Sequence, residues 1–129
     1  MRRDMDLIRE LMLKIEELPT AHCSEFRLQP GTDPMVVAGF SENEIEYHLR
    51  LIVEAGLITS RGRFGNGAFR LDRMTFAGHD FVDSVRSPEV WAKTKKGAEA
   101  AGGFTVDLLK DLAKGFIKKQ IEDLTGVKI

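Results

Sequence analysis

The sequence predicts an α+β fold, in which helices pack on a small antiparallel hairpin sheet and a C-terminal helical extension follows. Three stretches carry that expectation. Residues 39–60, GFSENEIEYHLRLIVEAGLITS, hold a helix start, an apolar face and a helix stop that passes into an extended run. Residues 57–74 then read as two β-favouring runs around a glycine-rich tip, and residues 105–126 return to helical spacing with a wide apolar stripe.

The chain has 129 residues, enough for one domain with an appendage, and 43% of them are hydrophobic, which suffices for a modest core. A formal charge of -1 argues against a protein that coats nucleic acid or anionic membrane by bulk charge. Cys23 is the single cysteine, so no intramolecular disulfide framework is expected. The N-terminal run MRRDMDLIREL breaks up the apolar core that a signal peptide needs, and no apolar run approaches the ~20 residues that span a bilayer. A cytoplasmic, reduced protein is the expectation.

Residues 4–18 place Met5, Ile8, Leu11, Met12, Ile15 and Leu18 on one stripe, an amphipathic helix stopped by Pro19. Residues 19–34 are polar and punctuated by Pro30, Gly31 and Asp33, a long connection with a short extended piece at 26–28. A brief β-favouring run at 35–38 precedes the central helix. There Ser41 caps the start with Glu44 three residues on, Ile45, Leu49, Ile52 and Val53 form the buried face, and Gly56 ends the helix. Strands are expected at 57–60 and 68–74, with residues 61–67 as the hairpin tip around Asn66-Gly67. Thr75 caps a helix over 76–86 whose Phe76, Phe81, Val82 and Val85 face inward. Ser87, Pro88 and Glu89 start another, running to about residue 100 on Val90 and Trp91. Gly102-Gly103 is the candidate hinge, so the expected division is 1–101 for the domain and 102–129 for a helical arm, capped by Thr105 and ended by Gly126.

Charge is distributed unevenly over these elements. From Ser41 to Glu54 four glutamates stand against one arginine, a net of -3 on the helix that would enter a phosphate-lined groove; this favours a protein-facing surface, with Glu42, Glu46, Tyr47 and Arg50 as its candidates. The hairpin is the counterweight. Arg61, Arg63, Arg70 and Arg73 stand there against Asp72 alone, a net of +3, and are candidates for nucleic-acid contact. In the arm, Leu109, Leu112, Phe116, Ile117, Ile121 and Leu124 are candidate oligomerisation residues, since a stripe of that width must fold back, meet a second copy or lie on another apolar surface.

Catalytic and metal chemistry finds less purchase. His79, Asp80 and Asp83 offer ligands at i, i+1 and i+4, but only the first and last share a helix face, so His79 reads as a capping or packing residue. His48, beside Tyr47, reads as partly buried and hydrogen-bonded. His22-Cys23 lies in the long connection with nothing nearby to lower the thiol pKa. The glycines of GRFGNG are accounted for by turn geometry, not by a phosphate loop. The expectation is a non-enzyme with no cofactor and no metal.

IEYHLRLIVEAGLI resembles the end of the recognition helix and first wing strand of many bacterial winged-helix regulators, and RLDRMTFAGHDF is similar to the return strand and next helix start of the same group. Taken with MRRDMDLIREL and VWAKTKKGAEAAGGF, the pattern also resembles an uncharacterised family of small proteins found largely in phage and prophage genes. That resemblance covers nearly the whole chain and implies a winged-helix-like fold and a mobile-element origin, without supplying site residues. The sequence departs from the regulators at 33–40, where a full helix would be needed. The expected function is therefore a binding module of phage or prophage type, a homodimer and a regulator or adaptor that contacts a host or phage protein. The alternative is a DNA-binding regulator that relies on its basic wing.

Overall fold

A computed structural model describes residues 1–19, 26–103 and 105–128 of the chain, which divide into two compact units, Met1–Asp80 and Phe81–Ile129. His22 and Cys23 lie outside the described residues. The fold is mixed α and β, with five helices and one three-stranded antiparallel sheet among the described residues.

In the first unit, α1 (Met5–Glu16) is capped by Asp4, whose carboxylate accepts from the amides of Asp6 and Leu7. Leu7, Ile8, Leu11, Met12 and Ile15 are buried along it, and the helix packs on α2 (Glu42–Glu54). The expected cap of α2 is present in full: Ser41 Oγ accepts from the Glu44 amide at 3.2 Å, and Glu44 Oε1 accepts from the Ser41 amide at 3.0 Å. Its buried face is Ile45, Leu49 and Ile52, joined by His48. At the other end Gly56 takes φ +73°, and the amides of Gly56 and Leu57 bond back to Val53 and Ile52, satisfying the last carbonyls.

His48 ties the two helices. Its Nδ1–H donates to the Glu44 carbonyl at 2.7 Å, and Nε2 accepts from the Asp4 amide at 2.8 Å, which defines a neutral ring with the proton on Nδ1. The hydrogen bonding is as expected, whereas the burial, expected to be partial, is nearly complete.

The sheet has the order β1–β3–β2, with β1 (Phe26–Leu28) and β2 (Ile58–Arg63) flanking β3 (Phe69–Met74). Leu28, Ile58, Phe69 and Leu71 are buried, so one face of the sheet is apolar. Two register irregularities interrupt β2 against β3, between Thr59 and Ser60 and between Ser60 and Arg63, and Gly62 at φ +93° sits in the second. Residues 35–38 do not form the expected strand. Turn bonds close this segment instead, from Gly31 N to Met35 O and from Met35 N to Thr32 O, around Gly31 at φ +83°.

α3 (Phe76–Val85) starts on Thr75, whose hydroxyl donates to the Gly56 carbonyl at 2.5 Å and accepts from the Gly78 amide at 3.0 Å. Gly78, Phe81, Val82, Ser84 and Val85 are its buried positions. Phe76 was expected to face inward and is 82% exposed, because it lies two residues, about 200° around the helix, from Gly78.

In the second unit, α4 (Pro88–Ala100) starts on Ser87 as expected and buries Val90, Trp91, Thr94 and Ala98. It ends at Ala101, with Gly102 at φ +83° and the amides of Gly102 and Gly103 bonded back to Glu99 and Ala98. α5 (Val106–Thr125) follows the Thr105 cap, ends at Gly126 and packs on α4. Gly97 makes room for this pairing, since a Cβ there would lie 3.2 Å from Leu112 Cδ1. Among the described residues no helix is long and apolar enough to cross a membrane.

Three substitutions test these contacts. A methyl group at Gly78 would fall on the Leu57 carbonyl oxygen and against Met74, so Gly78→Ala lowers stability by about 1–3 kcal/mol in thermal or urea unfolding. Gly65→Ala, with open space around it, changes stability by about 0.5 kcal/mol or less. Replacing His48 by leucine leaves the Asp4 amide without its acceptor, and the same measurements register a loss of about 1–3 kcal/mol.

Candidate functional site

The residues read from the sequence as two separate surfaces meet in one place. Glu46 and Arg50 stand at i and i+4 on α2, glutamate first, the orientation that suits a helix. Arg50 reaches Glu46 through Nη2 at 2.9 Å, and Arg63, from the end of β2, reaches the same carboxylate through Nη2 at 2.8 Å. One glutamate thus joins the helix to the hairpin. Arg63 also lies over the Phe69 ring, with Cζ 3.9 Å from the ring centroid.

Beside this cluster runs an open groove of about 590 Å³, lined by Tyr47, Arg50, Leu51, Val53 and Glu54 of α2, by Ser60, Gly62 and Arg63 of β2 and by Phe69 of β3. Tyr47 is held edge-on to His48, the ring centroids being 5.7 Å apart. The helical face that carries Ile45, Leu49 and Ile52 inward leaves Leu51 and Val53 half-exposed on its flank, and these supply the apolar part of the groove. Burial raises the Glu46 carboxyl, but hydrogen bonds from Arg50 and Arg63 and their positive charge outweigh it and hold the carboxyl below its ordinary value of 4.5.

Of the candidate protein-facing residues, Glu46, Tyr47 and Arg50 come together here, whereas Glu42 sits in the first turn of α2 beside Gly31. The candidate nucleic-acid residues disperse. Arg63 belongs to the groove, Arg61 pairs with Asp72 at 3.2 Å, Arg70 stacks on Phe64 at 4.1 Å, and Arg73 is exposed. Residues missed in the sequence are Leu51, Val53 and Phe69 as groove lining, and Arg27 and Phe64 as partners of Arg70. The i, i+4 spacing of Glu46 and Arg50 was a readable signal; the long-range partner Arg63 had none.

Within the second unit, the candidate oligomerisation stripe divides. Leu109 is wholly buried and so belongs to the core; Leu112, Phe116 and Ile117 are half-buried, and Ile121 and Leu124 stand 42% and 80% exposed. A smaller cleft of about 350 Å³ lies over Val90 and Phe116, framed by Glu89, Lys93, Lys119 and Asp123, whose charges cancel. Among the described residues, no three His, Cys, Asp or Glu side chains gather into a group able to hold a metal ion.

The lowered Glu46 pKa sets the sign of a pH effect. The stabilisation that Glu46 contributes is fully present above pH 4.5 and is lost as the pH falls through its lowered pKa. Wild type is accordingly more stable than Glu46→Gln by about 0.5–1 kcal/mol at neutral pH, and urea midpoints measured down the acid range converge once Glu46 is protonated.

Three comparisons bear on relationship. An uncharacterized protein of Haemophilus influenzae (strain KW20 / Rd) is 27% identical over 124 residues, which cover 94% of this chain and 99% of that one. No solved structure matches the chain. A protein family described as Hypothetical protein (DUF2513) matches residues 2–104, through both α2 and the hairpin that build the groove. On that match the chain belongs to the DUF2513 family.

Proposed function

We propose that this chain is a non-enzymatic, cytoplasmic binding module of phage or prophage type, a regulator or adaptor that takes a protein partner in the groove between α2 and the hairpin. The observation that carries this reading is the Glu46 cluster: one carboxylate engages Arg50 and Arg63, and with Glu54 also at the rim the two negative charges balance the two positive ones around Tyr47, Leu51, Val53 and Phe69. A concave, partly apolar surface with a few oriented polar groups suits a protein segment better than a phosphate backbone. The sheet order β1–β3–β2 and the direct passage from α2 into the hairpin support a winged-helix-like arrangement. Turns between β1 and α2 stand where the regulators carry a further helix, and this favours a scaffold role for α2 over base reading. The exposed Ile121 and Leu124 are the part of the arm that remains for a homodimer seam.

DNA binding through the wing is the competing reading, supported by the exposure of Arg61 and Arg73 and weakened by the pairing of Arg61 with Asp72 and of Arg63 with Glu46. A photo-reactive phenylalanine analogue at Tyr47 separates the two. Irradiated in host lysate, it yields a nuclease-resistant protein adduct that is lost in the Arg63→Glu background. A nuclease-sensitive adduct transfers the groove to nucleic acid, and the absence of any adduct removes the site.

A further inference from the structure

Within the second unit, helical geometry separates the side of α5 turned away from α4 from the rest of the helix. Leu112 and Phe116 meet Gly97 and Val90 of α4, and at about 100° per residue they lie about 140–180° around the axis from Ile121. Ile117 and Leu124 lie within about 60° of Ile121, and so do Lys110, Lys114 and Lys118, a ladder at i, i+4 and i+8. Among the acidic residues of α5, Asp107 alone shares this arc, in the first turn. Asp111, Glu122 and Asp123 lie about 80°, 100° and 160° from Ile121. Lys114, Lys118, Ile121 and Leu124 are exposed, with Lys110 and Ile117 half-buried. Among the described residues none of the three lysines takes part in an ion pair.

We propose that this face of α5 docks peripherally on an anionic lipid bilayer. The helix lies in the plane of the surface, with Ile117, Ile121 and Leu124 toward the acyl boundary and Lys110, Lys114 and Lys118 among the headgroup phosphates. Area and charge both favour lipid over a second copy. A stable dimer buries roughly 800 Å² on each partner, about 20–30 residues, and what remains here for a seam is three apolar side chains. Two such faces set together would also crowd the lysines of both copies onto one narrow seam. A plane of negative headgroups asks for no matching relief, and each lysine brought near it strengthens binding about fivefold. Three apolar side chains are too few to hold a neutral bilayer, so attachment is reversible and depends on anionic lipid. An acidic protein segment would supply the charge, but Ile117, Ile121 and Leu124 line neither cleft and offer it no concavity. The inference goes beyond the groove reading and does not rest on it.

The test is cosedimentation of the full chain with vesicles of about 30% phosphatidylglycerol in phosphatidylcholine and, separately, of phosphatidylcholine alone. The chain binds the anionic vesicles and not the neutral ones, and binding falls as salt rises. Lys114→Glu weakens it about tenfold or more and Leu124→Ser several-fold. Both positions are exposed, and circular dichroism checks that the variants stay folded. Lys96→Glu makes the same charge change on the exposed side of α4 and alters binding by about twofold or less. Binding to neither vesicle overturns the proposal, as does an equal loss in Lys96→Glu and Lys114→Glu. A dimer mass in sedimentation equilibrium that Leu124→Ser abolishes overturns it in favour of a second copy. Hexaglutamate that binds through Lys114 at a lower concentration of negative charge than the vesicles overturns it in favour of an acidic protein. The adduct at Tyr47 reports on the groove separately, so either reading can fail without the other.

Discussion

The first unit turns on the junction where α2 ends, because one short stretch of backbone there serves three elements. Gly56 in the left-handed conformation stops α2 and turns the chain into β2. The exposed carbonyls this creates are taken up from the far end of the hairpin: the Thr75 hydroxyl donates to Gly56, and the Thr75 amide donates to Leu57. Gly78 then lets the first turn of α3 close on Leu57 without a side chain between them. Helix stop, strand start and the next helix cap are thus one hydrogen-bonded unit, and the hairpin can leave and return only at a defined angle to α2.

That angle makes the groove. With β2 starting two residues after Gly56, its far end brings Arg63 back to the flank of α2 at the level of Glu46. The register irregularity between Ser60 and Arg63 matters here, because it re-aims successive side chains: Arg61 goes to Asp72, and Arg63 goes to Glu46 and Phe69. Arginines two positions apart along one strand end up doing different work. A hairpin that reads as a single positive patch is divided by its own backbone into locally compensated groups.

The balance of charges has the same origin. Four glutamates on α2 and four arginines in the hairpin look, element by element, like surfaces of opposite sign for two different partners. Folded together they meet at Glu46, and the ion pairs formed there are partly exposed and individually small. Their effect is chiefly orientation: Arg50 and Arg63 are held at the rim and the space between helix and strand stays open.

Local rules determined a large part of this protein. The Ser41–Glu44 capping box, the Gly56 stop, the Ser87–Pro88 start, the Thr105 cap and the Gly126 end are all decided by residues within a few positions of one another, and each stands in the structure where the sequence puts it. The position of the hairpin was legible for the same reason. What depended on distant neighbours was not: the turn-bonded segment at 31–35 in place of a strand, Phe76 turned outward, Leu109 absorbed into the core, and Arg63 bound to a helix residue seventeen positions earlier. Periodicity identifies which residues share a face, but it does not say what that face meets. Only the tertiary structure, by joining α2 to the hairpin through Gly56, Leu57 and Thr75, decided that a helix and a hairpin with separate charges form one groove.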